Sequence, residues 1–117
     1  MTEADFYIKE GNVRPALETK LIGQDGDPVD LTGSSVRFQM KEVGGDSTLV
    51  DNDANIVDAT EAIVSYVWER GDTDDPGTYI AEFQVDYDGS TTFEVDEEFP
   101  NSEYITIEIE ETIGDTS

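Results

Sequence analysis

The sequence predicts an all-β chain folded as a two-sheet antiparallel sandwich, one domain over residues 1–117. Three observations predict it. Turn-forming residues recur at short intervals along the whole chain: Glu10-Gly11-Asn12, Asp25-Gly26-Asp27-Pro28, Thr32-Gly33-Ser34, Gly44-Gly45-Asp46, Gly71 to Gly77, Asp88-Gly89-Ser90 and Pro100-Asn101. The runs between them are short and rich in β-branched and aromatic residues. Within the clearest runs apolar and polar residues alternate, the pattern of a sheet with one wet face.

In chain order, a first strand is predicted at 6–9 and a second at 16–22. In 35–42, Val36, Phe38 and Met40 face one way and Arg37, Gln39 and Lys41 the other. Residues 49–57 read as a hairpin turning at Asp51-Asn52-Asp53. Residues 63–68 form a further strand. In 78–87, Tyr79, Ala81, Phe83, Val85 and Tyr87 oppose Glu82, Gln84 and Asp86. A strand at 91–95 follows, and in 104–111 the inward set is Ile105, Ile107 and Ile109. That makes about eight strands, within the seven to nine of a sandwich. No helix is predicted, because residues 10–20 contain Pro15 and lack a helical apolar stripe. The ordered part is expected to span about 4–113, with short frayed tails.

Composition sets the limits on function. The chain has 29 acidic and 6 basic residues, a formal net charge of -23. Nucleic acid and anionic membranes are excluded as partners, since both need clustered Lys and Arg. The acids run the length of the chain, which points to a surface adapted to brine, where salt screens the repulsion. The rival reading is an acidic protein that binds cations or basic partners. There is no histidine and no cysteine, so triads, zinc sites and thiol chemistry are excluded and a non-enzyme is expected. No signal peptide and no apolar stretch of membrane-spanning length stand out, so synthesis in the host cytoplasm is expected.

No organic cofactor is expected. A structural hard cation (calcium, magnesium or potassium) would find oxygen ligands at Asp72, Asp74 and Asp75. Asp51 to Asp53, and Asp25 with Asp27, are lesser clusters, and turns attract Asp in any case. Phe38, Tyr66, Trp68, Tyr79 and Phe83 read as core. Tyr7 and Tyr104 fall opposite the inward residues and are candidate contact residues. Arg14, Arg37 and Arg70 are scarce cations that either pair with local carboxylates or reach a neighbouring subunit.

Asp75-Pro76-Gly77-Thr78-Tyr79 matches the D-x-G-x-Y pattern of a tyrosine corner in immunoglobulin-like sandwiches, with Asp75, Gly77 and Tyr79 as its members. Ala81 stands where antibody domains place a cysteine, and Trp68 is not at the usual strand C position. Pro28-Val29-Asp30-Leu31-Thr32-Gly33 followed by Val36-Arg37-Phe38-Gln39-Met40 resembles the immunoglobulin-like N-terminal domain of tailed-phage baseplate upper proteins. The resemblance continues through Val67-Trp68, Asp72-Thr73, Pro76 to Tyr79, Glu82 to Val85, Phe99-Pro100 and Tyr104 to Ile107, nearly the whole chain. It implies a virion protein that binds other virion proteins in symmetric multiple copies. Those relatives continue into long C-terminal regions, so a free-standing form is expected here. With the acidic surface, the resemblance implies a tailed virus of haloarchaea. A tail or baseplate subunit is the first expectation. A head decoration or turret protein, or a module binding host-surface glycan or protein, is the alternative.

Overall fold

The computed structural model describes residues 4–113; the expected tails, 1–3 and 114–117, lie outside the described residues. Nine strands form among them: β1 (Phe6–Lys9), β2 (Leu17–Lys20), β3 (Ser35–Glu42), β4 (Thr48–Asp53), β5 (Asn55–Asp58), β6 (Ile63–Tyr66), β7 (Gly77–Asp86), β8 (Glu97–Phe99) and β9 (Ile105–Glu110). The larger sheet runs β1-β9-β7-β3-β4, with β8 also on β7; the smaller runs β2-β6-β5. The antiparallel sandwich has one parallel pair, β1 on β9, in register from Phe6 opposite Ile107 to Lys9 opposite Glu110.

Alternation decides which face is dry. Val36, Phe38 and Met40 of β3, Tyr79, Ala81, Phe83 and Val85 of β7, and Ile105, Ile107 and Ile109 of β9 are all buried, facing Val64 and Tyr66 of β6 and Leu17 of β2. Phe38 sits at the centre. It stacks on Tyr66 across the sandwich at 4.4 Å and meets Trp68 edge-on at 5.7 Å and Phe83 at 5.2 Å. Each buried ring contributes about 1.5–3 kcal/mol by leaving water, and a well-placed aromatic pair adds about 1 kcal/mol. That cluster does the work of the missing disulfide.

Three expectations need correction. Residues 49–57 are not a hairpin. Asp51-Asn52-Asp53 belong to β4, which pairs β3 in the larger sheet; the chain crosses at Ala54 into β5, which pairs β6 in the smaller one. The acids fit a strand because Asp51 and Asp53 flank Arg37 on the wet face. Residues 91–95 are not a strand: the chain loops out there and the short β8 forms at 97–99 instead. Trp68 lies past the end of β6 rather than on it.

β7 is the organising strand. One side pairs β3 along eight residues, Ser35 to Glu42. The other side is shared: β9 pairs Gly77 through Ala81, and β8 pairs Phe83 through Val85. β8 and β9 are therefore two pieces of one interrupted strand. Pro100, which has no N–H to give a ladder, opens the interruption.

Candidate interaction surface

The turn entering β7 is held by its own side chains. Tyr79 is buried, and its hydroxyl donates to the Asp75 carbonyl at 2.6 Å, the geometry of a tyrosine corner. Burial first, then the charges of Asp75 and Glu42, push the phenol above its ordinary range and keep it a donor. Gly77 has φ +151°, a conformation close to glycine-only, and the Tyr79 ring lies against the place a Cβ would take.

The acids proposed as cation ligands are not brought together. Asp72 is turned inward, where its Oδ2 accepts from the Tyr66 hydroxyl at 2.5 Å and the Glu69 N–H at 2.9 Å. Asp74 and Asp75 are exposed. Asp72 therefore closes the loop that carries Trp68. The Tyr66 hydroxyl, which also accepts from Asn52 Nδ2 at 3.1 Å, is pushed far up by burial and by Asp72.

The acids that do converge were missed in the sequence. Carboxylate oxygens of Asp86, Asp88 and Asp96 lie within 4.8 Å of one another, across the loop from β7 to β8. Asp86 is 1% exposed and accepts from the Asp88 N–H at 2.9 Å and the Glu94 N–H at 3.0 Å; Asp96 accepts from the Tyr87 N–H at 2.8 Å. The N–H groups of Glu94, foremost, and Asp88 hold the Asp86 carboxyl below its ordinary range. The signal in the sequence is an Asp ending an apolar alternation just before Asp88-Gly89, which marks a turn-anchoring acid rather than an outward strand residue.

The candidate contact residues are spread over the surface. Tyr7 is 48% exposed, on β1 at one edge of the larger sheet. β1 keeps an unbroken register, whereas the β4 and β5 ladders are interrupted by shifts at Met40/Lys41 and Ile56/Asp58. Arg37 is clamped at the β4 edge. Its guanidinium donates to Asp51 at 2.9 Å and Asp53 at 3.1 Å and sits 5.7 Å from the Phe93 ring centroid. Arg70 reaches the Gly11 carbonyl at 3.4 Å, and Arg14 is exposed beside Pro15.

Tyr104, 51% exposed, stands at the interruption between β8 and β9. Glu82 of β7 lies opposite this gap, beyond the last β9 pair at Ala81 and before the first β8 pair at Phe83. The result is a notch in the wet face of the larger sheet, about 390 Å³, walled by Glu82, Glu98, Glu103, Asn101 and Tyr104. A smaller groove of about 210 Å³ continues from Glu82 and Tyr104 over Ile80 to Lys41 and Thr48. Burial first, then the neighbouring Glu98, raise the Glu82 carboxyl above its ordinary range, against a smaller opposing pull from Lys41. Glu98 also accepts from Gln84 Nε2 at 3.0 Å.

Comparison with known families matches residues 2–111 to the family described as BppU N-terminal domain. Comparison with curated proteins returns no match.

Proposed function

The chain belongs to the BppU N-terminal domain family, the N-terminal domain of phage baseplate upper proteins, and from that premise we propose that it is a non-catalytic structural subunit of a tailed virus of haloarchaea. The family makes the protein a virion component that meets other virion proteins. The match over residues 2–111 is the observation that carries the reading. Membership in a family of baseplate parts supports the tail, rather than the head, as the place where it docks. The net charge of -23 supports the brine-adapted form. Docking works by shape and surface. The unbroken β1 edge with exposed Tyr7 suits pairing with a partner strand, and repetition follows the symmetry of the particle.

Immunogold electron microscopy of purified particles, with antibodies raised against this chain, tests the reading. Label at the tail tip is the expected result. Label spread over the head would replace the baseplate role with decoration. Particles free of label, from infected cells that contain the protein, would overturn the virion role and favour a host-directed binding module.

A further inference from the structure

We propose that the notch between β8 and β9 is a docking surface for a neighbouring protein, receiving a lysine or arginine side chain of that partner between Glu82, Glu98 and the ring of Tyr104. The inference rests on the virion-subunit reading and names the face and chemistry by which the subunit is held.

Backbone topology builds the notch. β9 leaves β7 after Ala81, β8 joins it only at Phe83, and residues 100–104 swing outward between them. Glu82 is therefore unpartnered on that side of the strand and floors a depression instead of a flat ladder. Tyr104 stands half-exposed at its lip and borders both the notch and the adjoining groove. An aromatic ring in that position serves the aliphatic stem or the cationic head of a long basic side chain.

The sign of the partner follows from charge. Glu82, Glu98 and Glu103 border the notch, and among the described residues none of them has a cation within 4.0 Å. Lys41, on the neighbouring strand, lines the adjoining groove rather than the notch. Burial and the neighbouring Glu98 make the position of Glu82 costly for a charge, Lys41 offsets only part of that cost, and the raised carboxyl reports what remains. A partner cation removes it. Ile80 borders the adjoining groove, so an apolar residue beside the basic one completes the fit. Among the described residues, the hollow lined by Asp53, Phe93, Val36 and Ile56 also joins an acid to a ring and an apolar border, but there Arg37 already neutralises the acid.

The test is an amide NMR titration of the full chain with acetyl-Leu-Arg-Leu-amide, using acetyl-Leu-Glu-Leu-amide as the control. It is run in 1 M NaCl, where a Debye length of about 3 Å suppresses diffuse attraction to the acidic surface. The expected result is saturable shifts confined to Ile80, Glu82, Glu98 and Tyr104 with the arginine peptide alone. Glu82→Gln and Tyr104→Ala each weaken binding about fivefold, and Asp46→Asn leaves it unchanged. Thermal melts confirm that the variants fold. Shifts scattered over the surface, no shifts, or equal affinity in Glu82→Gln would overturn the proposal. Calcium chloride that produces the same shifts and displaces the peptide would also overturn it, in favour of a cation site. Labelled particles with a silent notch would sink the docking surface and leave the virion role standing; the converse result would do the reverse.

Discussion

Tyr79 shows how a single hydrogen bond fixes an element. Its ring fills core volume beside β9, and its hydroxyl ties the Asp75 carbonyl down so that Gly77 can turn the chain into β7. Tyr79→Phe keeps the ring and removes the bond. The expected loss is about 1 kcal/mol, because the freed carbonyl lies in an exposed turn where water can take over. In a domain of this size that lowers Tm by about 4 °C. Calorimetry of the variant checks it, and an unchanged Tm would mean that packing alone holds the corner. The corner was legible in the sequence because its chemistry is local: five consecutive residues contain the turn, the acceptor and the donor. Asp72 was not. Its bond from the Glu69 N–H is local, but the Tyr66 hydroxyl lies on the preceding strand beyond the reach of a turn rule, so an inward loop clasp looked like one more surface acid. Trp68 carries a cost that no sequence pattern hints at, since its Nε1 is buried with no hydrogen-bond partner among the described residues.

At the scale of elements, β7 and the interrupted strand beside it decide what the wet face looks like. Alternation located β3, β7 and β9 closely, because each is long enough to show its period and has one dry face. It failed at β4 and β5. A crossover between sheets and a tight hairpin leave the same trace in sequence, two short β-rich runs around an Asp-Asn-Asp, and only the pairing partners separate them. It failed again at 91–95, where Phe93 packs against Arg37 from a loop. The notch was invisible for a related reason: Glu82 is an ordinary outward residue of an alternating strand until the neighbouring strand breaks opposite it. Glu82 also gives the fold a pH dependence of known sign. Its folded carboxyl lies above the ordinary value of 4.5. It therefore contributes most below that value and loses stability as pH rises through the raised one. Glu82→Gln removes the charge while keeping the shape. The expected gain at pH 7 is about 2 °C in Tm, reduced from a buried-pair effect because the site is open to solvent. The gain should vanish near pH 4, where wild type is protonated too. Melts at the two pH values check this, and a loss of Tm at pH 7 would mean that Glu82 makes a favourable contact as an anion.

For the whole molecule, the acidic surface is the dominant physical fact, and it was readable from composition alone. With 29 acids and 6 bases, four ion pairs among the described residues cannot offset the repulsion, and three of them involve Lys9 or Arg37 on the larger sheet. Exposed pairs of this kind contribute at most about 1 kcal/mol each. The core is that of an ordinary small sandwich without a disulfide, so it has no large reserve against a self-repelling surface. Stability should consequently depend on salt. Between 0.1 M and 1 M NaCl the Debye length falls from about 10 Å to about 3 Å, and Tm is expected to rise on the order of 10 °C over that interval. The shape of the curve identifies the cause. Screening saturates near 1 M, because by then the length is shorter than the spacing of neighbouring surface charges. A rise that continues in proportion to concentration up to 4 M would instead indicate exclusion of salt from the protein surface. Adding a chelator at constant ionic strength should leave Tm unchanged, since N–H donors already anchor the Asp86 and Asp96 carboxylates of the convergent trio. A Tm that does not move with NaCl would remove the physical basis for the brine-adapted reading, while the sandwich and its family membership would stand. The same salt series also bears on docking. A partner held by diffuse charge would be released as Tm rises, whereas one seated in a notch beside an aromatic ring would stay bound.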